Sequence, residues 1–175
     1  EKLGSGKMVE LGVARGGCIA LCAVANPNLK IIGCDSWLGM PEITKEDNTS
    51  KCQQWVGSMW GKKEDVYHTF KKLKASTDNL TLLEGWFEDT LPNNLDLFDD
   101  LDILRIDSDF YKSVKYCLEM LFDKLKPGGI VILDDWHFNP EGVRKAVNEF
   151  LKSRNLSPKI YTHTNQNAGP AYFYK

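Results

Sequence analysis

Short unbroken apolar runs alternate along this chain with longer stretches in which apolar residues recur every three or four positions. The first pattern is that of parallel strands buried on both faces, the second that of helices packed against them. Strands are expected at 7–12, 30–34, 80–83, 101–106 and 130–133. Helices are expected at 18–25 and 62–75, the latter with Val66, Phe70 and Leu73 on one face. Two more are expected at 111–125 and 140–151, the last opened by a proline and carrying Val143, Ala146, Val147 and Phe150 along one side. A Lys-Pro-Gly-Gly turn separates the third of these helices from the strand at 130–133. Residues 159–163 and 171–174 read as a hairpin across TNQNAGP that closes the sheet. The alternation defines an open α/β sheet.

One consequence concerns chemistry. A strand, a helix and a parallel strand form a right-handed crossover, so the strands at 101–106 and 130–133 end at the same edge of the sheet. Asp107 ends the first, Asp134 and Asp135 end the second, and Asp109 follows closely. Open α/β sheets bind ligands at that carboxyl edge. Carboxylates crowded there repel one another unless a cation offsets them, and Mg²⁺ takes a few carboxylates with water and substrate oxygens. Helix caps and loop acids facing water are the alternative for any one of them. Upstream, GVARGG joins the first strand to the first helix. It is a glycine turn at a helix start but not GxGxxG, because position 14 is Ala14. Asp35 ends the second strand, where such folds hold the two hydroxyls of a ribose, although a turn aspartate would look the same.

Residues 36–60 form a long, weakly periodic connection with Trp37, Trp55, Trp60, Met40 and Met59. It reads as a lid or binding loop, or else as a cap whose large side chains plug the core. Trp86 and Phe87 follow Gly85 at the third strand tip and can face an adenine or pack in the core. His68 lies off the apolar face of its helix and is expected in solvent. Arg105, inside a buried strand, is expected to pair with an acid. His137 is expected to pack or cap, with substrate contact as the alternative.

Composition narrows the partners. The chain has 175 residues, 42% hydrophobic and 26% charged, which fits one globular domain. A net charge of −2 gives no electrostatic case for nucleic acid, and Lys71, Lys72 and Lys74 read as a solvated helix face. No apolar run approaches a membrane span and no signal-peptide pattern is present. Five cysteines, odd in number and without CxxC, read as reduced residues of a cytoplasmic protein. Self-association into a homo-oligomer stays open.

The motifs ELGVARGG, CDSWLGMPE, GWFEDTLP, ILRIDSDFY and LKPGGIVILDDWH, in that order, resemble the class I S-adenosylmethionine-dependent methyltransferases. Among these, the chain is most similar to the macrocin O-methyltransferase family, which methylates sugar hydroxyls. The resemblance implies a Rossmann-like, doubly wound sheet of seven strands, mostly parallel with an antiparallel last strand. It implies that Glu10, Gly12, Val13, Gly16 and Gly17 hold the methionine end of the cofactor, and that Asp35 holds its ribose. It places Ser36, Gly85 and Trp86 near the adenosine. Asp107, Asp134 and Asp135 match the family's Mg²⁺ ligands, with Asp107 also lying against the cofactor and matching its general base. The function so implied is Mg²⁺-dependent transfer of a methyl group to a vicinal diol on a sugar or glycosylated metabolite. A catechol acceptor, a non-catalytic cofactor-binding module and an NAD-type oxidoreductase are the alternatives.

Three differences from the family stand out. The family's helical segment ahead of the glycine motif has no counterpart in the nine residues that precede Glu10 here. Trp136 stands where a tyrosine is common, and Val114 where a small polar residue is usual.

Overall fold

The computed structural model describes residues 5–162 and 169–175. Seven strands form one sheet in the order β3-β2-β1-β4-β5-β7-β6. They are β1 (Lys7–Leu11), β2 (Lys30–Asp35), β3 (Leu80–Glu84), β4 (Leu101–Ile106), β5 (Leu125–Leu133), β6 (Tyr161–Thr162) and β7 (Ala171–Tyr174). The first five run parallel, and β7 is antiparallel to both its neighbours, β5 and β6. Strand order therefore reverses between β1 and β4, the crevice where ligands of such sheets bind. The hairpin strands are as expected, whereas His163 and most of the turn between them lie outside the described residues.

The helices are α1 (Gly17–Ala25), α2 (Thr49–Cys52), α3 (Lys63–Leu73), α4 (Phe87–Thr90), α5 (Tyr111–Leu121) and α6 (Pro140–Ser153). On one face of the sheet, Leu118, Leu121, Val147 and Phe150 from α5 and α6 join Val9, Leu104, Val131 and Phe173 in a single core. On the other, α1 and α3 bury Ile19, Val66 and Phe70 against Met8 and Ile31. Each such side chain contributes roughly 1.5–3 kcal/mol by leaving water. Val114 is part of the first core, as a packing substitution should be. His68 is exposed as expected, but Leu73 is 40% exposed, because α3 ends there and the chain turns away through Lys74 at φ 56°.

The Lys-Pro-Gly-Gly segment departs from expectation. It is not a turn before the strand but an irregular part of β5, whose pairing with β4 shifts register between Leu101 and Ile103. Lys175 pairs with it: Gly128 N–H donates to the Lys175 carbonyl (3.1 Å), and Lys175 N–H donates to that of Gly129 (2.9 Å). Helix α5 is correspondingly shorter than expected, closing in a 3-10 turn at Phe122–Lys124.

The large side chains of the 36–60 connection divide between core and surface. Trp37 and Met40 are buried, and the Trp37 indole donates to the Ala14 carbonyl at 2.7 Å. Met59 and Trp60 are exposed. A small core of Met40, Cys52 and Phe110, with Ile43 and Phe138 against it, joins the insert to the loops after β4 and β5. All five cysteines are free thiols. No helix among the described residues is long and apolar enough to cross a membrane.

Candidate active site

The carboxyl edge of β1, β2, β4 and β5 opens into a cleft of about 940 Å³, roofed by the 39–44 part of the insert and walled by Trp86 and Phe87. That is at the upper end of the volumes typical of small-molecule sites. Of the residues singled out from the sequence, Gly12, Asp35, Ser36, Gly85, Trp86, Asp107, Asp134 and Asp135 line it. Glu10, Val13, Gly16 and Gly17 do not: they form the strand end and turn beneath. Ser108 and Asp109, between and beside the predicted acids, line it as well.

The glycine turn is shaped by close approach. Gly12 sits at φ +94°, and a Cβ there would meet the Asp107 carbonyl oxygen at 1.8 Å. Asp35 ties the same turn from the other side. One of its oxygens accepts from Val13 N–H and Ala14 N–H, each at 2.8 Å, and the other accepts from Trp37 N–H at 2.7 Å. The turn-aspartate role is thus present in a residue that also faces the cleft.

Asp107, Asp109 and Asp135 each offer a carboxylate oxygen within 4.8 Å of the other two. Asp134 is not one of the three, and its Oδ1 accepts from Arg105 at 2.5 Å. Asp109 takes its place through a backbone in the left-handed region (φ 61°), with its N–H donating to Asp135 Oδ2 at 2.9 Å. Burial pushes the Asp135 carboxyl up to about 9 and that of Asp109 up to about 7, with the neighbouring acids adding to both shifts. Burial also raises Asp107, against the pull of Arg105. Such a set is costly to ionise alone and is relieved by a hard cation, so the donors fit one.

Arg105 is paired as expected, and with three acids. It donates to Glu10, to Asp107 Oδ2 (2.6 Å) and to Asp134. Burial opposes its charge, while Glu10, Asp107 and Asp134 sustain it. Glu10 is raised well above the carboxylate range by burial despite Arg105, and its Oε2 is buried without a hydrogen-bond partner among the described residues. Replacing Arg105 with methionine strands buried acids, so we expect a stability loss of about 3 kcal/mol or more, read by urea unfolding. A change below about 1 kcal/mol would show that Arg105 does not offset them.

Three polar groups were not legible beforehand. Ser108 Oγ is buried at the cleft without a partner among the described residues, hidden in sequence between two acids. Asp47 and Asn139, 4% and 0% exposed, join the insert to the start of α6. His137 packs as expected: Arg144 contacts its Nδ1 at 3.2 Å and stacks over Trp136 at 5.2 Å. Trp136 is buried and does not line the cleft, so its difference from the family is a packing one. The lining is acidic, with eight carboxylates against a single cationic side chain, Lys112, itself paired with Glu88 at 2.9 Å.

A doubly wound sheet with a glycine turn, a strand-tip acid and a carboxylate group at its switch point defines a Rossmann-like α/β protein with a small-molecule site. The family model of macrocin-O-methyltransferases (TylF) matches residues 3–168, and the chain belongs to that family. It is 32% identical over 164 residues to a tetracenomycin-C rhamnosyl 4'-O-methyltransferase of Streptomyces olivaceus, covering 89% of this chain and 61% of that one. It is 29% identical to the demethyldecarbamoylnovobiocin O-methyltransferase of Streptomyces niveus, over 90% of this chain and 62% of the relative. The chain thus spans about three fifths of the length of these relatives. Its fold superposes on the O-methyltransferase NovP with a TM-score of 0.81 at 26% identity, over 97% of this chain and 72% of NovP.

Proposed function

We propose that the chain is the catalytic part of an S-adenosylmethionine-dependent, Mg²⁺-assisted O-methyltransferase acting on a vicinal diol of a sugar or glycosylated metabolite. The observation that carries this is the group Asp107, Asp109 and Asp135 at the floor of a cleft bounded by the glycine turn. Family membership supports the reaction class. The first of the relatives above acts on a rhamnosyl-bearing small molecule by name, which supports the acceptor class.

Cofactor fit rests on the turn itself. Gly12 lets backbone approach a ligand closely, and Asp35 and Trp86 stand at adjacent strand ends for the ribose and the base. The cofactor supplies the electrophilic methyl of its sulfonium. Asp107, Asp109 and Asp135 would hold Mg²⁺, which when bound lowers the pKa of a nearby hydroxyl and orients a second one. Asp107, whose Oδ2 accepts from Arg105 at 2.6 Å, would take the hydroxyl proton. The insert residues Met40, Pro41 and Ile43 exclude water and align the acceptor. The acidic lining favours neutral or cationic acceptors over phosphorylated ones.

The test uses labelled S-adenosylmethionine with alkyl rhamnosides, a catechol and buffer alone, with Mg²⁺ or excess chelator. We expect turnover on a diol glycoside that drops by about 100-fold or more in chelator. Equal turnover in chelator would remove the metal role. Cofactor binding by calorimetry without turnover on any acceptor would favour a non-catalytic module. Binding of NAD in place of S-adenosylmethionine would favour an oxidoreductase.

A further inference from the structure

The buried pair Asp47–Asn139 lies outside the cleft lining and has no part in the chemistry above, yet it bonds both the insert and the Asp109 peptide. Asp47 Oδ1 accepts from Asn139 Nδ2 (2.6 Å) and from Tyr111 N–H (2.8 Å). Its Oδ2 accepts from Thr44 N–H (2.8 Å) and Thr44 Oγ1 (3.1 Å), so the carboxylate is satisfied on both oxygens. Asn139 uses the same Nδ2 to donate to the Asp109 carbonyl at 3.1 Å, and its Oδ1 accepts from Gly142 N–H at 3.2 Å.

The Asp109 peptide is therefore clamped from two sides. Its N–H is taken by Asp135 and its carbonyl by Asn139, around a left-handed backbone that a non-glycine residue keeps only when its surroundings hold it there. That backbone is what turns the Asp109 carboxylate towards Asp107 and Asp135. Asn139 in turn is oriented by Asp47, which belongs to the insert that roofs the cleft.

We infer that Asn139 and Asp47 are positioning residues: through them the seating of the 36–60 insert sets the Asp109 carboxylate for cation binding. This rests on the proposed role of the Asp107, Asp109 and Asp135 group as a cation site. The coupling works in both directions, so an acceptor that packs under the insert tightens cation binding, and the cation steadies the insert.

Two variants test it without touching a cleft acid. Asn139→Ser keeps a favoured helix cap but removes the amide donor to Asp47 and Asp109. Gly142→Ala adds a methyl that would fall 2.2 Å from Asp47 Oδ1 and 2.5 Å from Asn139 Nδ2, wedging the pair apart. Thermal unfolding of each variant separates a loss of fold from a loss of cation affinity, and S-adenosylhomocysteine binding reports an intact cleft. The readouts are Mn²⁺ affinity by electron paramagnetic resonance and S-adenosylhomocysteine affinity by calorimetry in chelator.

For Asn139→Ser we expect Mn²⁺ binding to weaken by about 10- to 100-fold, as for other groups that orient a metal ligand. Gly142→Ala should move it the same way by a smaller factor, with S-adenosylhomocysteine affinity unchanged in both. Wild-type Mn²⁺ affinity in both variants, or a parallel loss of both ligands, would overturn the positioning role. Absence of Mn²⁺ binding by the unmodified chain would overturn the cation reading itself, and this inference with it.

Discussion

Asp107→Asn lowers methyl transfer by about 10²–10⁴-fold, the range for loss of a positioned proton acceptor, and lowers Mg²⁺ affinity in the same variant. Both effects are expected because, in the function proposed, one side chain serves two ends: it shares the cation and takes the hydroxyl proton. Asparagine preserves the shape and the contact to Arg105 through its carbonyl oxygen, so the fold should hold. The informative comparison is with Asp134→Asn. Asp134 sits at the tip of β5 beside Asp135, and motif similarity pairs it with the metal ligands, whereas its Oδ1 accepts from Arg105 and the three oxygens that lie together belong to Asp107, Asp109 and Asp135. Asp109→Asn should therefore cost more Mg²⁺ affinity than Asp134→Asn, measured by titrating activity with Mg²⁺ in each variant. The reverse order would return Asp134 to the cation site. Full activity in Asp107→Asn would remove it from the proton transfer.

These comparisons mark where the sequence was sufficient. Strand tips can be placed from apolar runs alone, because parallel strands buried on both faces leave no polar alternation to confuse them. Hence the edge carrying Asp35, Asp107, Asp134 and Asp135 was legible, as was the need of Arg105 for acidic partners. The choice of Asp109 over Asp134 in the proposed cation group rests on features that are not local: the positive φ of Asp109, which no residue type announces, and a guanidinium reaching from β4 to the end of β5. Asp47 and Asn139 were hidden for a related reason. Polar residues in a stretch without periodicity look solvated, and only the tertiary fold shows that they are buried against each other across 92 positions. The Lys-Pro-Gly-Gly segment misled because turn residues were weighed without Lys175, which pairs with them from far along the chain.

Gly12→Ala is expected to destabilise the chain by about 4 kcal/mol or more, and to prevent folding at the upper end. Two costs add. The backbone at φ +94° is one that L side chains rarely adopt, and the new methyl would lie 1.8 Å from the Asp107 carbonyl oxygen and 2.8 Å from its carbon. Neither neighbour is a side-chain tip that can swing away: Asp107 N–H is bonded to Leu11 and Gly12 N–H to Cys34, so β1, β2 and β4 must separate to relieve the contact. Gly17→Ala is the matched control, since a Cβ there meets nothing within 4 Å and the residue opens α1. It should be neutral or slightly stabilising, because alanine has less backbone freedom to lose on folding. Thermal unfolding of the pair measures the difference, expected at about 10 °C or more for a chain of this size. Equal midpoints would mean that the glycine turn is not pressed against the Asp107 backbone. The tight join between turn and carboxylate strand, on which placing a sulfonium beside the acceptor hydroxyl depends, would then be absent.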